Sequence, residues 1–382
     1  MTIATAATLD AARPRKRDWP FLSAAIAGTA LLIALVMVDG QPASAALVLA
    51  GFGLGAVFLV AEFSFTASWR RFLVRSEGGG LMGALLLIAI AAIVIVPTAA
   101  LLPGFGGTIA PLGPSLVIGA FTFGIGMQLA NACGSGTLYT VGGGSGRMLI
   151  TLPFFILGSL IGSLHLPAFL ALGGVDPIIA SNYLGPWGGL AATLTSIAAV
   201  AIVVAAIARR RGGSFIPNRR IAIGAVLIAL LAIGAFLAGG HPWSVTFGFT
   251  LWGGKIASAL GMDLSTAAFW QWPGPKRALT DSVLTDTSSL TDFGMILGAM
   301  AAAAATKPFA RAQWPALPSL LAAALGGLLM GWGARLGFGC NIGAFVGGVA
   351  SGSLHGWVWF AAALAGCTIG IRLRPFFGLS RD

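Results

Sequence analysis

The chain has 382 residues, of which 57% are hydrophobic and 9% are charged, and its mean hydropathy is +0.93. A protein surface with so few charges would not be soluble in water. The composition therefore excludes an ordinary soluble protein and indicates a polytopic membrane protein. The net charge of +11 lies mostly in short arginine clusters between apolar segments, which favours a role in membrane topology over nucleic-acid binding. Attraction of anions is the alternative explanation of this charge.

The first apolar segment, Trp19–Val38, follows a polar tail at 1–18 that contains Arg13, Arg15, Lys16 and Arg17. The segment is long enough to span a bilayer, and the basic tail predicts a cytoplasmic N-terminus. Further spans are predicted at about 44–61, 81–102, 114–130, 148–169, 187–208 and 221–239. Arginines at 209–211 and 219–220 place the connection between the last two in the cytoplasm.

The second part of the chain is less regular. Apolar segments lie at 244–261, 290–306, 317–332 and 354–372, separated by a polar insert at 262–289. If each of them spanned the bilayer, the basic C-terminus would lie outside, against the positive-inside rule. We therefore expect one of them to be re-entrant, with 244–261 as the first candidate.

These segments predict an all-α polytopic membrane protein with about 9 to 11 hydrophobic segments. Its two pseudo-symmetric halves, 19–211 and 212–375, would meet at the membrane centre through glycine-rich broken helices. The remaining residues would form a cytoplasmic N-terminal tail at 1–18 and a C-terminal tail at 376–382.

The halves are predicted from two related cysteine motifs. When the first motif is placed on the second, four of its residues fall on identical ones: Gly126, Leu129, Cys133 and Gly136 match Gly333, Leu336, Cys340 and Gly343. Each motif ends an apolar segment and places one cysteine in a glycine-rich break. Interrupted hydrophobic segments in corresponding positions point to the substrate site of many secondary transporters.

Such a break suits a small anion. Unwound backbone within a bilayer is tolerated where it is buried in protein or lines a cavity, and the flanking helix ends direct N–H groups and partial positive charge into that space. The thiols of Cys133 and Cys340 could donate weak hydrogen bonds to a soft sulfur or selenium atom. Cys367 lies in an unbroken apolar segment, where a thiol is usually a small buried hydrophobe.

Two cations complete the predicted site. Lys255 is an ionisable residue in an apolar segment, which makes it a functional candidate, although snorkelling from a re-entrant turn is the alternative. Arg335, like Arg147, flanks a cysteine loop and could hold an anion or anchor the loop at the membrane surface. The predicted substrate-binding residues are Cys133, Cys340, Ser64, Gly134, Gly136, Asn341, Gly343, Lys255 and Arg335.

Signals of enzymatic chemistry are absent from the sequence. The glycine run at 142–146 is followed by Arg147 rather than by Lys-Ser or Lys-Thr, so it is not a phosphate-binding loop. The apolar spans contain neither a paired-carboxylate nor a histidine–metal constellation. We therefore expect no enzyme and no cofactor, with transport driven by a gradient or by consumption of the substrate.

Four stretches resemble the YeeE/YedE family of sulfur transporters. They are Phe123-Gly-Ile-Gly-Met-Gln-Leu-Ala-Asn-Ala-Cys133-Gly-Ser-Gly-Thr-Leu-Tyr139, Gly333-Ala-Arg-Leu-Gly-Phe-Gly-Cys340-Asn-Ile-Gly-Ala-Phe345, Ser351-Gly-Ser-Leu-His-Gly-Trp357 and Gly248-Phe-Thr-Leu-Trp-Gly-Gly-Lys255. The resemblance implies an inner-membrane permease for small sulfur anions such as thiosulfate, passed between cysteine thiols through S–H···S hydrogen bonds. It also implies a cytoplasmic TusA-like sulfurtransferase as partner.

One departure from the family pattern concerns the substrate. The family typically has a cysteine in a Cys-Phe pair before a basic cluster, where this chain has Ser64-Phe65. A hydroxyl donates a stronger hydrogen bond than a thiol but is less polarizable. Two alternatives to thiosulfate import therefore stay open: a permease of the same fold for another sulfur or selenium compound, and a membrane thiol-redox protein that cycles Cys133 and Cys340.

Overall fold

The computed structural model describes residues 17–38, 42–306 and 314–382, so Arg13, Arg15 and Lys16 of the predicted cytoplasmic tail lie outside the described residues. The described chain is helical throughout, apart from connecting loops and two isolated β-bridges between them. The helices are α1 (Trp19–Val38), α2 (Pro42–Ala61), α3 (Phe65–Arg75), α4 (Gly79–Leu101), α5 (Pro114–Ala130), α6 (Gly134–Gly142), α7 (Gly146–Leu170), α8 (Ala180–Arg210), α9 (Arg219–Gly239), α10 (Thr246–Ala259), α11 (Ala268–Gln271), α12 (Pro273–Thr280), α13 (Thr287–Thr306), α14 (Leu317–Leu336), α15 (Gly348–Ala350) and α16 (Leu354–Leu373). A π-helical segment, Asn341–Gly347, precedes α15, and short 3₁₀ turns lie at Val283–Thr285 and Arg374–Phe377.

The all-α membrane fold predicted from the sequence is confirmed. Ten helical stretches in the described ranges are long and apolar enough to cross a membrane. The segment predicted to be re-entrant forms α10, whose 14 residues are too few to span a bilayer. If these ten stretches all cross the bilayer, the cytoplasmic positions predicted for both basic termini are consistent with each other.

Close packing of helix backbones holds the centre of the bundle together. At the crossing of α5 and α14, a Cβ added to Gly126 would lie 2.7 Å from the Gly326 carbonyl oxygen, and one added to Gly333 would lie 2.6 Å from that of Gly119. Only glycine allows backbones to approach this closely, and in lipid such van der Waals packing is a main source of helix association. The motif glycines Gly126 and Gly333 therefore have a packing role.

The packing partners fit the expected two halves. Helix α7 packs along α14 while α16 packs along α5, and α2 packs along α13 while α9 packs along α4. In each comparison, the second pair of helices is the first pair with the two halves exchanged. A two-fold relation between the halves requires this pattern. The pseudo-symmetry and the boundary near 211 stay predictions.

Four long helices end in the same way. The residue after α2 is Glu62, with φ 53°, and the corresponding residues after α5, α9 and α14 are Asn131 (φ 64°), Gly240 (φ 70°) and, one residue further, Phe338 (φ 60°). A left-handed residue at this position ends a helix and turns the chain away from its axis. Each break leads into a shorter helical segment: α3, α6, α10 or the π-helical segment.

Candidate functional site

Cys133 begins the short helix that follows the first predicted cysteine break. It is the N-cap of α6, and its Sγ accepts a hydrogen bond from the Gly136 amide at 3.4 Å. The Ser135 hydroxyl lies 3.4 Å from the same sulfur. The thiol is 2% exposed, so the break places a desolvated S–H at a helix N-terminus inside the protein.

Cys340 has the corresponding position in the second break. It is the N-cap of the π-helical segment, and its Sγ accepts a hydrogen bond from the Ile342 amide at 3.4 Å. Its side chain is fully buried. The Cys340 thiol proton has no acceptor among the described residues and is available for donation, whereas the Cys133 thiol can also donate to the Ser135 hydroxyl.

The structure brings the two breaks into contact. A Cβ added to Gly134 would lie 3.1 Å from the Cys340 Sγ and 3.6 Å from the Thr246 Cγ2. On the other side, a Cβ added to Gly343 would lie 3.3 Å from the Ser244 Oγ. Gly134 and Gly343 are thus positions where backbone, not side chain, faces the neighbouring loop. The N-termini of α6, α10 and the π-helical segment converge here.

Ser64 begins a third short helix. It is the N-cap of α3, and its Oγ accepts a hydrogen bond from the Ala67 amide at 3.2 Å. The Tyr139 hydroxyl, from α6, interacts with the Ser64 side chain and lies 3.4 Å from the Phe63 carbonyl oxygen. Ser64 therefore connects to the helix that Cys133 caps, at the inner end of α2 in the predicted topology.

Asn341 is the polar side chain in the site that lacks protein partners. It is fully buried, and neither its amide nitrogen nor its amide oxygen has a hydrogen-bond partner among the described residues. Buried polar groups are rarely left unpaired in native proteins. An unpaired amide next to a capping cysteine is the kind of group that a bound polar ligand would satisfy.

The two predicted cations make contacts elsewhere. The Lys255 ammonium donates hydrogen bonds to the carbonyl oxygens of Leu279 (3.0 Å) and Asp281 (2.6 Å) in the connector after α10. The Arg335 guanidinium lies 5.1 Å from the centre of the Phe269 ring, in the same connector. These contacts anchor the connector, and neither cation is among the described contacts of the cysteine loops.

Three arginines gather at the end of α5. The Arg70 guanidinium donates to the side-chain oxygens of Gln128 (3.3 Å) and Asn131 (2.8 Å), and Arg374 donates to the Gln128 carbonyl oxygen at 2.6 Å. Arg147 donates to a carbonyl oxygen in the last turn of α5 at 2.5 Å. Cations at a helix C-terminus satisfy its free carbonyls and stabilise the dipole. They also hold the left-handed Asn131, two residues before Cys133.

Sequence reasoning missed several residues of this site, among them Ser244, Thr246 and Tyr139. A signal for the first two was present, because Gly240-His-Pro follows an apolar segment as the cysteine breaks do. Tyr139 is brought to Ser64 only by the tertiary fold. Among the described residues no group of three or more histidine, cysteine or acidic side chains could hold a metal ion.

Comparison with known proteins gives a consistent result. The sequence profile of a family described as "Sulphur transport" matches residues 60–369. The chain is 30% identical to a thiosulfate transporter, TsuA, of Spirochaeta thermophila over 63% of this chain and 72% of that protein. It is 32% and 34% identical to the probable transporters YedE of Escherichia coli and Salmonella typhimurium, over 36% of this chain in each case.

The matches to the two YedE proteins span about a third of their length, 34% in each case. The family profile, by contrast, covers most of the present chain, including both cysteine breaks and the Ser64 position. With its ten membrane-competent helices, the chain is a multi-pass membrane protein. It belongs to the sulphur transport (YeeE/YedE) family.

Proposed function

We propose that this protein imports thiosulfate, or a closely similar small sulfur anion, across the bacterial inner membrane. The observation that carries the proposal is the contact between the two cysteine breaks, in which Gly134 lies against the Cys340 sulfur. Three helix N-termini meet at that contact, and they supply N–H groups and partial positive charge without binding the anion as tightly as a full cation would.

The proposed path follows the cysteines from outside to inside. An outer cavity of about 110 Å³ is lined by Ser115 and Phe338, and Phe338 precedes Cys340 by two residues. From this cavity the anion would reach the Cys340 thiol, pass to the Cys133 thiol and continue towards Ser64. Each thiol would donate an S–H···S hydrogen bond to the terminal sulfur of thiosulfate. Several weak sites in series favour passage over retention.

Consumption of the anion would make import unidirectional. A cytoplasmic TusA-like sulfurtransferase, as implied by the family resemblance, is the partner that we propose for this step. The arginines at the inner end of α5 would attract the anion there, because positive potential raises the local concentration of anions.

Radiolabelled thiosulfate uptake tests the proposal directly. The gene is expressed in cells that lack their own sulfate and thiosulfate importers, and uptake is compared with that of cells carrying an empty vector. We expect saturable uptake that competes with unlabelled thiosulfate. Absence of uptake by a well-expressed, correctly folded protein would contradict the thiosulfate assignment, and selenium and other sulfur anions would then be tested in the same cells.

Ser64 favours a specific second candidate, a permease for another sulfur or selenium anion, because its hydroxyl is a harder hydrogen-bond donor than the family's thiol.

We expect Ser64→Cys to retain folding and to raise thiosulfate uptake about two- to five-fold, since a gain of about 0.5 to 1 kcal/mol from a more polarizable donor corresponds to that factor. Uptake kinetics in the same cells measure the change.

Ser64→Ala serves as the matched control, because it removes the hydroxyl and also the cap of α3, a loss of about 1 kcal/mol in stability. If Ser64→Cys lost all transport while the folded protein remained abundant, Ser64 would not occupy a thiol position on the path.

Asn341→Ala separates binding from folding. Removing an unpaired buried amide should leave the melting temperature in detergent unchanged or slightly raised, because no protein hydrogen bond is lost. Without the amide the anion loses a partner worth about 1.5 kcal/mol, so KM for thiosulfate should rise about tenfold. An unchanged KM would remove Asn341 from the site.

A further inference from the structure

A buried carboxylate lies beside the cysteine contact and has no role in the path described so far. Asp292, in α13, is fully buried, and neither carboxylate oxygen has a hydrogen-bond partner among the described residues. An isolated ionised carboxylate in such a place would cost many kcal/mol, so the group is uncharged unless a ligand or cation reaches it. An ionisable side chain in a membrane span marks an ion or proton pathway by default.

The position of Asp292 connects it to the thiols. A Cβ added to Gly248 would lie 2.7 Å from the Asp292 Oδ2, so the carboxyl group lies directly against α10. Two residues earlier on α10, Thr246 contacts the same Gly134 that borders the Cys340 sulfur. A charge on Asp292 therefore changes the energy of an anion held at Cys340.

A hydrogen-bonded pair of polar side chains, Asp286 and Ser289, lies about one helical turn before Asp292, at the N-terminal end of α13. Asp286 caps α13: its Oδ2 accepts hydrogen bonds from the Ser289 amide (2.7 Å) and hydroxyl (2.6 Å), and the Trp252 indole donates to that hydroxyl at 2.9 Å. Burial raises the pKa of the Asp286 carboxyl. Ser289 and Asp292 are three residues apart, so they are neighbours on the helix surface.

The groups around these side chains leave Asp292 free to bind a proton. Of the helices packed against α13, α1 and α2 carry no titratable side chain in their described residues. Helix α6 contributes Tyr139 and its capping Cys133, and α10 contributes Lys255, which acts electrostatically on Asp286. No described cation forms an ion pair with Asp292, and protonation is therefore the way for it to become neutral.

We propose that Asp292 is a proton-coupling residue: it binds a proton from the outer side through Asp286 and Ser289 while the anion occupies the Cys340 position, and it releases that proton to the cytoplasm with the anion. The proposal rests on the function proposed above. One proton is bound and one is released per cycle, and no covalent bond to sulfur forms or breaks.

Proton coupling would reduce the electrical work of importing a divalent anion. A divalent anion entering a cytoplasm at negative potential is opposed by about 2.3 kcal/mol per charge for each 100 mV. A proton carried on Asp292 removes one of the two opposing charges and adds the proton gradient as a driving force. Neutral Asp292 next to Cys340 would also lower the repulsion that the anion meets on entry.

Proteoliposomes containing the full-length protein and an internal pH dye test the proposal. Adding thiosulfate outside wild-type vesicles should acidify the lumen in parallel with uptake, because thiosulfate itself is fully ionised at neutral pH. Asp292→Asn, a neutral isostere, should lose thiosulfate-dependent acidification. Its net uptake driven by a pH gradient should fall at least about tenfold. The rate at which this variant exchanges internal for external thiosulfate should stay within about threefold of the wild-type rate, since exchange needs no change in protonation.

Two variants provide controls. Asp263→Asn removes an exposed carboxylate outside the spans and should leave uptake, exchange and acidification unchanged. Asp292→Glu should keep coupled acidification, and it covers the case in which the asparagine variant fails to fold. Wild-type net uptake without lumen acidification, or coupled acidification by Asp292→Asn, would overturn the proposal for Asp292 alone. Absence of both uptake and exchange in the wild type would overturn the transport function as well.

Discussion

Thiosulfate uptake is expected to fall to background in Cys340→Ala and in Cys133→Ala, by at least about 30-fold for each variant. A hydrogen bond to a charged group contributes about 2 kcal/mol, which corresponds to that factor. Each thiol is nearly or fully buried at a helix N-terminus, so bulk water does not reach the position of the donor that alanine removes. The measurement is initial uptake of radiolabelled thiosulfate, normalised to folded protein in the membrane.

Cys367→Ala is the matched control. Cys367 is fully buried too, but its thiol donates to the Gly124 carbonyl oxygen at 3.5 Å within the packing of α16 against α5. This variant loses the same side-chain volume and a protein hydrogen bond, yet uptake per folded molecule should be retained. Full transport by Cys340→Ala would contradict the thiol path, and loss of uptake in all three variants would indicate a general effect of cavity formation.

The long helices could be predicted from the sequence with good accuracy. The segment predicted at 114–130 coincides with α5, and that predicted at about 221–239 with α9 (Arg219–Gly239). The reason is physical, because a bilayer demands long apolar stretches whose backbone hydrogen bonds are internal, and glycine, proline and arginine mark their ends. The two cysteine breaks could be predicted for the same reason.

The short helices and the contacts between breaks could not be predicted in this way. Helix α3 is polar and short, so hydropathy gave only a span that ends near Ser64. That Tyr139 reaches Ser64, or that Gly134 borders Cys340, depends on how distant segments pack. Asp292 had a readable signal, an acidic residue near the start of an apolar segment, but the sequence did not indicate that its carboxylate would lack a partner.

The substrate-binding roles of Lys255 and Arg335 stay predictions, and the structure shows which protein groups these two cations contact. Lys255 and Arg335 were expected near the substrate because an ionisable residue in a span is a functional candidate. In the structure they hold the connector after α10 through backbone carbonyls and an aromatic ring. A snorkelling side chain and a ligand-binding one look alike in sequence, since the difference lies in where the long side chain points.

Gly126→Leu should remove most of the folded protein from the membrane, in contrast with the cysteine variants. A Cβ at this position would lie 2.7 Å from the Gly326 carbonyl oxygen and 2.8 Å from the Met330 amide nitrogen, so α5 and α14 would have to separate. Overpacking of this kind costs about 3 kcal/mol or more, because backbone cannot move aside as a flexible side chain can. Size-exclusion chromatography of detergent extracts measures the loss.

The same substitution at Gly234 controls for the residue introduced. Gly234 lies on an exposed part of α9, and a Cβ added there would have no heavy atom within 4 Å. Leucine at this position would face lipid and should leave the folded amount unchanged. If Gly126→Leu folded as well as Gly234→Leu, the motif glycines would not be packing residues. The presence of glycine at both Gly126 and Gly333 would then have to be explained by the anion path. A folding defect confined to Gly126→Leu would instead show that these glycines form the helix contact that brings Cys133 and Cys340 together.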